Sequence, residues 1–440
     1  MKQARRVVVG FLVAGIAGST SFAQTPARYE VGYGPDPALP EPDMSLVPTV
    51  NVAKTEPWSE GEAPLAAPGL KVTPFARGLD HPRWLHVLPN GDVLVAETNA
   101  PQQHDEGFSL KKWIMGWFMK RAGAGVETPN RIVLLRDTNQ DGIADTKETF
   151  LEGLNSPFGM TLSGGKLYIA NTDAIVAFPY RNGETTIHVE PEKIVDLPGG
   201  PINHHWTKDV IASPDGKKLY ATVGSNSNVG ENGIEAEQNR AAVLEVDLAS
   251  RKTRLFASGL RNPNGLSWNP DDGRLWVVVN ERDELGNDLV PDYMTSVKDG
   301  AFYGWPYSYF GQHVDTRVKP QQPDLVSRAI KPDYALGAHT ASLGLTFYMA
   351  SLLGPEYKGG AFIGQHGSWN RKPRSGYKVI FVPFKDGKPH GAPQDVLTGF
   401  INAQDRAMGR PVGVAVDNKG ALLVADDVGN TVWRVTPAAK

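Results

Sequence analysis

Short segments of β-branched and aliphatic residues recur along the chain, and each ends in polar residues. Six of them have the pattern of the second strand of a repeated unit: 94–97, 167–171, 219–224, 275–280, 361–365 and 422–426. A shorter apolar strand precedes each one, and several joining turns are Pro-Asn-Gly, Pro-Asp-Gly or Asp-Gly sequences that favour hairpins. Because almost no helical periodicity lies between them, the pattern predicts an all-β fold.

Six similar β units indicate a six-bladed β-propeller. A unit of this size cannot bury its sheet alone, and closing the sheets into a ring removes most of their free edges. A pair of β-sandwiches is the alternative. In a propeller the polar ends of the second strands face a central mouth, where we expect the functional residues.

The N-terminus has the pattern of an export signal. Lys2, Arg5 and Arg6 precede an apolar run at 7–18, and the small residues Ser21 and Ala23 suit cleavage near Ala23. The run is shorter than the ~20 residues that span a bilayer, although an uncleaved anchor is the alternative. We therefore expect residues 1–23 to be a signal peptide and the mature protein to be periplasmic or secreted.

Two further segments fall outside the repeated units. Residues 24–69 are rich in proline and predict an extended arm, which leaves 70–440 for the propeller. Within it, 101–130 is an insertion whose stretch 109–121 is basic and aromatic. A short helix packed on a blade is the favoured interpretation, and an interfacial helix that contacts lipid or a redox partner is the alternative.

Composition narrows the chemistry. The 440 residues include no cysteine, which excludes disulfides, thiolate metal centres and a thiol nucleophile. The formal net charge of −3 gives no electrostatic case for nucleic acid as a partner.

One loop matches a calcium-binding pattern in full. Asp137, Asn139, Asp141, Asp145 and Glu148 occupy the ligand positions of D-x-N-x-D-G-x5-E. Strand-like rather than helical flanks predict a calcium-stapled hairpin with a structural ion. A metal-free turn is the alternative.

A second group of residues suits acid–base chemistry. Segment 203–209 contains His205 and Asp209, which share a face in strand geometry. A histidine at a strand start that faces the mouth is a candidate general base, although a structural histidine is the commoner case.

Charged residues further along the chain suit an anionic ligand and a cation. Arg261 lies in a glycine-bounded turn and offers a fixed fork of donors to an oxyanion, and the acidic loop 280–288 has the oxygens for a cation. Two basic segments, 369–376 and 409–413, lie at strand ends. With Arg261 they predict a pocket for a polyanion, against the alternative of solvated loop cations.

Three motifs together resemble the soluble quinoprotein aldose dehydrogenases, six-bladed propellers that bind pyrroloquinoline quinone (PQQ) and Ca²⁺. The motifs are Leu-Arg-Asn-Pro-Asn-Gly at 260–265, Asn-Glu-Arg at 280–282 and Tyr-Gly-Trp-Pro at 303–306. Segments 78–84, 203–208 and 366–371 are more similar to the sorbosone dehydrogenase branch. The resemblance runs from about residue 70 to residue 436.

The resemblance implies a role for each matching position. The catalytic histidine is His205, and the arginine beside the quinone is Arg261. Further quinone contacts fall on Asn262, Asn264, Asn280, Thr340, Arg371 or Lys372, and Arg410. The implied calcium ligands are the carbonyls of Glu281 and Arg282, residues near Asp288 and Asp292, and the backbone of Tyr303.

The chain also departs from that pattern. The carboxylate that partners the histidine in glucose-oxidising members aligns with Ser225, so the base lacks it unless Asp209 or another group takes its place. Asn264 stands where relatives carry a longer amide, and Met408 where a second arginine holds the cofactor. These changes bear on glucose specificity more than on the quinone site.

The implied function is oxidation of an aldose or a sorbosone-like sugar aldehyde by hydride transfer to calcium-bound PQQ. Without a Cys-x-x-Cys-His haem motif, the electrons must leave to a separate acceptor, a quinone or a cytochrome. One alternative is a calcium-dependent lactonase that uses Glu97, Asn171 and Asp426 at strand ends. Another is a non-catalytic propeller that binds a partner protein.

Overall fold

The protein is a ring of six antiparallel sheets. A computed structural model describes residues 31–43, 49–101 and 127–439. The N-terminal strands are β1 (Tyr33–Gly34), β2 (Lys54–Thr55), β3 (Leu65–Ala66) and β4 (Leu70–Arg77). Blades one and two contain β5 (Pro82–Val87), β6 (Val93–Glu97), β7 (Arg131–Arg136), β8 (Thr146–Leu151), β9 (Met160–Ser163), β10 (Lys166–Ala170), β11 (Ala174–Pro179) and β12 (Glu192–Asp196).

The remaining elements complete blades three to six. They are β13 (Val210–Ala212), β14 (Lys218–Val223), β15 (Ala242–Asp247), β16 (Thr253–Ser258), β17 (Asn262–Trp268), β18 (Leu275–Asn280), β19 (Pro291–Ser296), β20 (Ala301–Phe302), β21 (Ser308–Tyr309), β22 (His313–Val314), β23 (Tyr334–Ala338), β24 (Ser342–Phe347), β25 (Ala361–Gln365), β26 (Lys378–Val382), β27 (Phe384–Lys385), β28 (Lys388–Pro389), β29 (Gln394–Thr398), β30 (Arg406–Ala407), β31 (Pro411–Val416), β32 (Leu422–Asp426) and β33 (Thr431–Pro437). One short helix, α1 (Pro323–Val326), and two 3₁₀ turns, Ile234–Glu237 and Pro355–Tyr357, lie in the described loops.

The first strands of the blades form the inner ring. Strands β5, β9, β13, β17, β24 and β31 each contact the next one around the axis. The ring closes in blade six, where β4 from the N-terminal side pairs with β33 near the C-terminus. A closed ring leaves few free sheet edges, which explains why these short strands are stable together. The structure confirms the predicted six-bladed propeller, and the sandwich alternative is wrong.

The second strands form the core between the blades. Strands β6, β25 and β32 are buried at every residue, and β10, β14 and β18 at all but one. A strand covered on both faces needs a continuous apolar run instead of alternation, and that is the pattern the sequence shows. All six lie within one or two residues of their predicted bounds.

The described part of the N-terminal arm runs along the blades as short added strands. Strand β1 pairs with β23, β2 with β30, and β3 with β29. The predicted signal peptide (1–23) and the basic stretch 109–121 lie outside the described residues, as does most of the insertion 101–130. In the described part of the chain, no helix is long and apolar enough to span a bilayer.

The polar strand ends meet at one face of the ring. In four blades the first residue of the inner strand pairs with the last residue of the second strand: Pro82 with Glu97, Asn262 with Asn280, Ser342 with Gln365, and Pro411 with Asp426. Because each blade repeats this order, the segments before the inner strands and after the second strands share one face. That face carries most of the predicted cofactor and catalytic residues.

Candidate active site

His205 lies just before the inner strand of blade three and is held through one ring nitrogen. Its Nδ1 is 2.8 Å from the carbonyl oxygen of Ser225 and 3.0 Å from the Ser225 hydroxyl. A carbonyl can only accept, so Nδ1 carries the proton and Nε2 carries the lone pair. No described residue hydrogen-bonds Nε2. The nitrogen that a general base needs is therefore available.

The surroundings keep this imidazole neutral. Burial, and after it the charge of Arg261 and the adjacent ring of His204, lowers the pKa of His205 well below its ordinary value. The rings of His204 and His205 are 4.7 Å apart in an edge-to-face arrangement. A neutral imidazole can accept a proton, which is what the base role requires.

Asp209 does not take the place of the missing carboxylate partner. Its two oxygens accept the backbone N–H groups of Val210 at 2.9 Å and Leu266 at 2.8 Å. Burial raises the pKa of Asp209 to about 7. The residue therefore joins blades three and four, and its carboxylate makes no described hydrogen bond to His205.

Arg261 is the centre of a buried hydrogen-bond network. Its Nη1 donates to the carbonyls of Asn280 (3.3 Å) and Glu281 (2.7 Å). Its Nη2 donates to the side chains of Asn228 (3.0 Å) and Asp283 (3.2 Å). The guanidinium thus fixes the start of the acidic loop and places a positive charge close to His205.

Asp283 binds side chains from three separate segments of the chain. Besides Arg261, its carboxylate accepts from Asn370 at 2.8 Å and contacts Nδ1 of His339 at 3.3 Å. The other ring nitrogen of His339 faces the carbonyl of Gly286 at 2.8 Å. Burial acts to lower the pKa of His339, but the hydrogen bond and charge of Asp283 outweigh it and raise that pKa.

The predicted calcium ligands do not come together as a cluster of side chains. Asp288 is exposed and pairs with Arg371 at 2.6 Å, whereas Asp292 is buried and accepts N–H and O–H groups from Glu281, Thr340 and Ser342. Tyr303 packs in the core and donates its hydroxyl to the Ser296 carbonyl.

Buried charge dominates the rest of that region. Burial raises the pKa of Glu281 to about 7 and that of Asp292 to about 6. The Arg282 side chain is buried against Asp315 at 2.7 Å. Among residues 31–43, 49–101 and 127–439, no group of three acidic or histidine side chains is placed to hold a metal.

The side chains of the calcium-like loop 137–148 are also not arranged around a metal ion. Carboxylates of Asp137, Asp141 and Asp145 accept the loop's own backbone N–H groups, and the Lys419 ammonium lies 3.3 Å from Asp137. Asn139 donates to Asp141 and Asp145, and Glu148 lies in β8, exposed. Calcium binding at both places remains a prediction.

Two residues predicted to contact the quinone already donate their hydrogen bonds to other protein groups. Thr340 is fully buried and donates its hydroxyl to Asp292 at 2.9 Å. Arg371 donates to the Asn287 carbonyl, the Asp288 carboxylate and the Pro373 carbonyl. Both side chains therefore stabilise the acidic loop and its neighbours instead of presenting free donors, while the Lys372 side chain is exposed.

The predicted asparagines line the entrance to blade four. A bulge in β17 between Pro263 and Leu266 takes Asn264 out of regular pairing, whereas Asn262 pairs with Asn280. Asn264 accepts from Thr207 at 2.9 Å and donates to the carbonyl of Asn262 at 3.1 Å. The side-chain oxygen of Asn262 is buried without a partner among the described residues, whereas Asn280 is half-buried at the end of β18.

Arg410 belongs to a charged cluster that motif reading did not identify. Its Nε and Nη2 donate to the carbonyls of His366 and Gly367, which leaves Nη1 without a described partner. Beside it, one oxygen of Asp427 is 2.7 Å from Nη1 of Arg83 and 2.8 Å from Nε2 of His366. Arg83 also lies over the ring of Trp206, the residue after His205.

The same cluster contains unsatisfied buried atoms. Nε of Arg83 and one oxygen of Asp427 have no described hydrogen-bond partner. Guanidinium donors of this kind suit carboxylates, which they bind in a fork. Arg83 and Arg410 therefore offer donors that suit the acidic groups of a tricarboxylate such as PQQ.

The residues of the hydrolase alternative are not arranged around a metal. Glu97 accepts from Arg131 at 2.5 Å and from the Asp80 backbone at 2.7 Å. Asp426 accepts from Trp58, Trp433 and the Arg410 backbone. Asn171 keeps one buried oxygen without a described partner, but the two carboxylates serve as structural acceptors.

Comparison with known proteins gives the family. The model of the TrAA12-like family matches residues 126–299 and 311–438. A protein of Borreliella burgdorferi is 28% identical over 298 residues, covering 65% of this chain and 77% of its own length. A pyrroloquinoline quinone-dependent pyranose dehydrogenase of Coprinopsis cinerea is 23% identical over 359 residues, which cover 72% of this chain but only 44% of that enzyme.

The fold comparison agrees with the family model. A calcium structure of the Trichoderma reesei enzyme of Carbohydrate-Active Enzymes family AA12 superimposes with a TM-score of 0.68 and 18% identity, over 89% of this chain and 99% of that one. The relatives that are named for a function are PQQ-dependent dehydrogenases of pyranose or sugar. The chain therefore belongs to the TrAA12-like family, the family of PQQ-dependent sugar dehydrogenases.

Proposed function

We propose that this protein oxidises a sugar or sugar aldehyde, with PQQ as cofactor and His205 as the base that takes the substrate's hydroxyl proton. The observation that carries the proposal is the state of His205, whose Nδ1 is bonded to the Ser225 carbonyl while Nε2 has no described partner. When bound, PQQ supplies a two-electron acceptor for the hydride.

The chain's own residues accept the proton, hold the acidic loop and bind the cofactor. Nε2 of His205 accepts the proton, and the charge of Arg261 favours the neutral form of the ring before reaction. Arg261 also fixes the carbonyls of Asn280 and Glu281 and the carboxylate of Asp283, so the entrance to blade four is rigid. Arg83 and Arg410 offer guanidinium donors to acidic groups of the cofactor.

Three further points belong to the same proposal. Calcium would rest on backbone carbonyls such as those of Glu281 and Arg282, and the calcium structure of the Trichoderma reesei relative supports including it. Export follows from the signal-like residues 1–23. Electrons would leave to a separate acceptor, and a sorbosone-like aldehyde is the substrate that segments 78–84, 203–208 and 366–371 favour.

Reconstitution tests the function directly. Purified apoprotein is mixed with PQQ and Ca²⁺, a panel of aldoses and sugar aldehydes is added, and reduction of an acceptor dye is followed. We expect turnover with at least one sugar that depends on added PQQ. A parallel sample treated with a calcium chelator before reconstitution should lose that turnover if the calcium prediction is correct.

The controls separate the alternatives. Hydrolysis of a lactone panel without PQQ, combined with no sugar oxidation, would contradict the oxidoreductase proposal and favour the hydrolase. The absence of both activities, in protein that binds no PQQ, would favour a non-catalytic propeller.

Removing the Arg410 side chain should weaken cofactor binding. Charge-assisted hydrogen bonds contribute about 1.5–3 kcal/mol, so Arg410→Ala should raise the Kd for PQQ about 10- to 100-fold. The measurement is a fluorescence titration of apoprotein with PQQ. Arg406→Ala is the matched control, because Arg406 is half-exposed and pairs loosely with Glu56 at 3.6 Å. An unchanged Kd for Arg410→Ala would remove this residue from the cofactor site.

A further inference from the structure

The His205 ring is oriented by a serine. Nδ1 lies 2.8 Å from the Ser225 carbonyl and 3.0 Å from the Ser225 hydroxyl, and that hydroxyl donates to the Ser227 carbonyl at 2.7 Å. Because the hydroxyl proton is already committed, both oxygen atoms of Ser225 act as acceptors toward Nδ1. The shared proton must then come from the ring, which fixes the Nδ1–H tautomer.

The backbone around Ser225 holds this arrangement at short range. A Cβ on Gly224 would lie 2.4 Å from Cβ of His205 and 2.5 Å from the side-chain oxygen of Asn262, so only glycine allows the two segments to approach. The Arg240 guanidinium donates to the Gly224 carbonyl at 3.2 Å and to Asn203 at 3.1 Å. The position of the serine relative to the ring is thus set from both sides.

The carboxylate on this side, that of Glu237, is linked to Ser225 through Ser227 and not directly to the imidazole. Glu237 accepts the backbone N–H of Asn226 at 2.7 Å and the hydroxyl of Ser227. It therefore holds the loop that carries Ser225 without touching the imidazole. On the side of His205 itself, the buried ammonium of Lys208 donates to the carbonyls of Trp206 (3.1 Å) and His205 (3.3 Å).

We propose that Ser225 is the positioning residue of the base: its carbonyl and hydroxyl fix the Nδ1–H tautomer of His205 and leave the ring without a directly bonded counter-ion. This inference rests on the proposed function, since it concerns how the same base works. A carboxylate on Nδ1 would stabilise the imidazolium that forms when the substrate's proton arrives, whereas a serine stabilises only the orientation.

The charged groups around the ring support this reading. Arg261, the His204 ring and the Lys208 ammonium all disfavour a positive charge on His205. The acidic groups nearby are bonded elsewhere: Asp283 to Arg261, Glu231 to the backbone of Asn228 and Val229. The base should therefore stay unprotonated at lower pH than a histidine paired with a carboxylate.

The tautomer can be measured without cofactor. Apoprotein labelled with ¹⁵N-histidine gives nitrogen shifts that distinguish Nδ1–H from Nε2–H, and His205→Gln identifies the signal of this residue by its loss. We expect Nδ1–H and a ring that stays unprotonated to well below the pH of about 6.5 at which an ordinary histidine titrates. An Nε2–H ring, or one that titrates at the ordinary pH of about 6.5, would overturn the proposal.

A charge placed at Ser225 tests the functional consequence. Ser225→Asp should raise the pH of the acid limb of kcat/KM, and the ¹⁵N titration point of His205, by about one to two units, because an opposite charge at contact favours the protonated ring. Ser225→Asn is the matched control of similar size without charge, and its limb should stay near the wild-type value.

The outcomes are distinguishable from those of the proposed function. An equal shift in Ser225→Asn and Ser225→Asp, or none in either, would overturn the positioning proposal. If Ser225→Asp does not fold, the tautomer of the wild-type ring still decides it. The expected tautomer in a protein without PQQ-dependent turnover would instead count against the proposed function.

Discussion

Replacing His205 with alanine is expected to lower kcat of the reconstituted protein by ~10²–10⁴-fold, the usual contribution of a positioned general base. The side chain presents an unpartnered Nε2 beside Arg261, and its neutral form is favoured by burial and by that charge.

The measurement is dye reduction at saturating PQQ and sugar, together with the PQQ Kd of the variant. Binding should change little, because cofactor recognition is assigned to Arg83 and Arg410, so the loss should fall on kcat. His204→Ala is the matched control: His204 is the exposed neighbour and makes no described hydrogen bond to the base. A fully active His205→Ala protein would remove this residue from catalysis.

The fold could be predicted almost to the residue because propeller blades give a strong local signal. A second strand such as β32 is covered on both faces, so its whole length is apolar and its end is marked by a polar residue, here Asp426. Pairing across long sequence distances has no such signal. The closure of blade six by β4 and β33, and the joining of β1 to β23, depend on contacts between distant segments and are seen only in three dimensions.

The site was predicted where function depends on position at a strand end. His205 and Arg261 lie close enough for the Arg261 charge to lower the pKa of His205, and their catalytic roles stay a prediction. For Asp209, periodicity gives the face of the strand but not the hydrogen bonds made there, in this case from the backbone N–H groups of Val210 and Leu266. Thr340 and Arg371 illustrate the same limit, since their donors are used by Asp292 and Asp288.

Arg83, His366 and Asp427 were missed as a cluster for a related reason. They lie in three blades and are far apart in sequence, so no motif contains all three. A usable signal existed, because each lies at the start of an inner strand or just after a second strand. Aligning the six units by strand position would have shown polar residues that share one face of the ring.

The largest expected stability effect follows from that cluster: Asp427→Asn should lower the free energy of unfolding by about 3–5 kcal/mol at pH 7, because it leaves a buried guanidinium without its counter-ion. Arg83 and Asp427 are 2.7 Å apart with side chains only 11% and 1% exposed. Burial acts to raise the pKa of Asp427, but His366, His81 and Arg83 outweigh it and hold that pKa well below its usual range.

The pH dependence of the effect follows from the sign of that shift. A carboxyl with a lowered pKa in the folded state contributes stability above its unfolded pKa of about 4, and loses it as the pH falls through the folded value. The difference between wild type and Asp427→Asn, measured by urea unfolding, should therefore be constant from about pH 5 to 8 and shrink in stronger acid. Asp405→Asn is the control, since its pair with Arg374 is 62% exposed on the carboxylate side and should contribute about 0–1 kcal/mol. A loss of less than about 1 kcal/mol in the free energy of unfolding of Asp427→Asn would mean that Arg83 binds water or another acceptor instead. The cluster would then not be a preformed cationic site for an acidic cofactor.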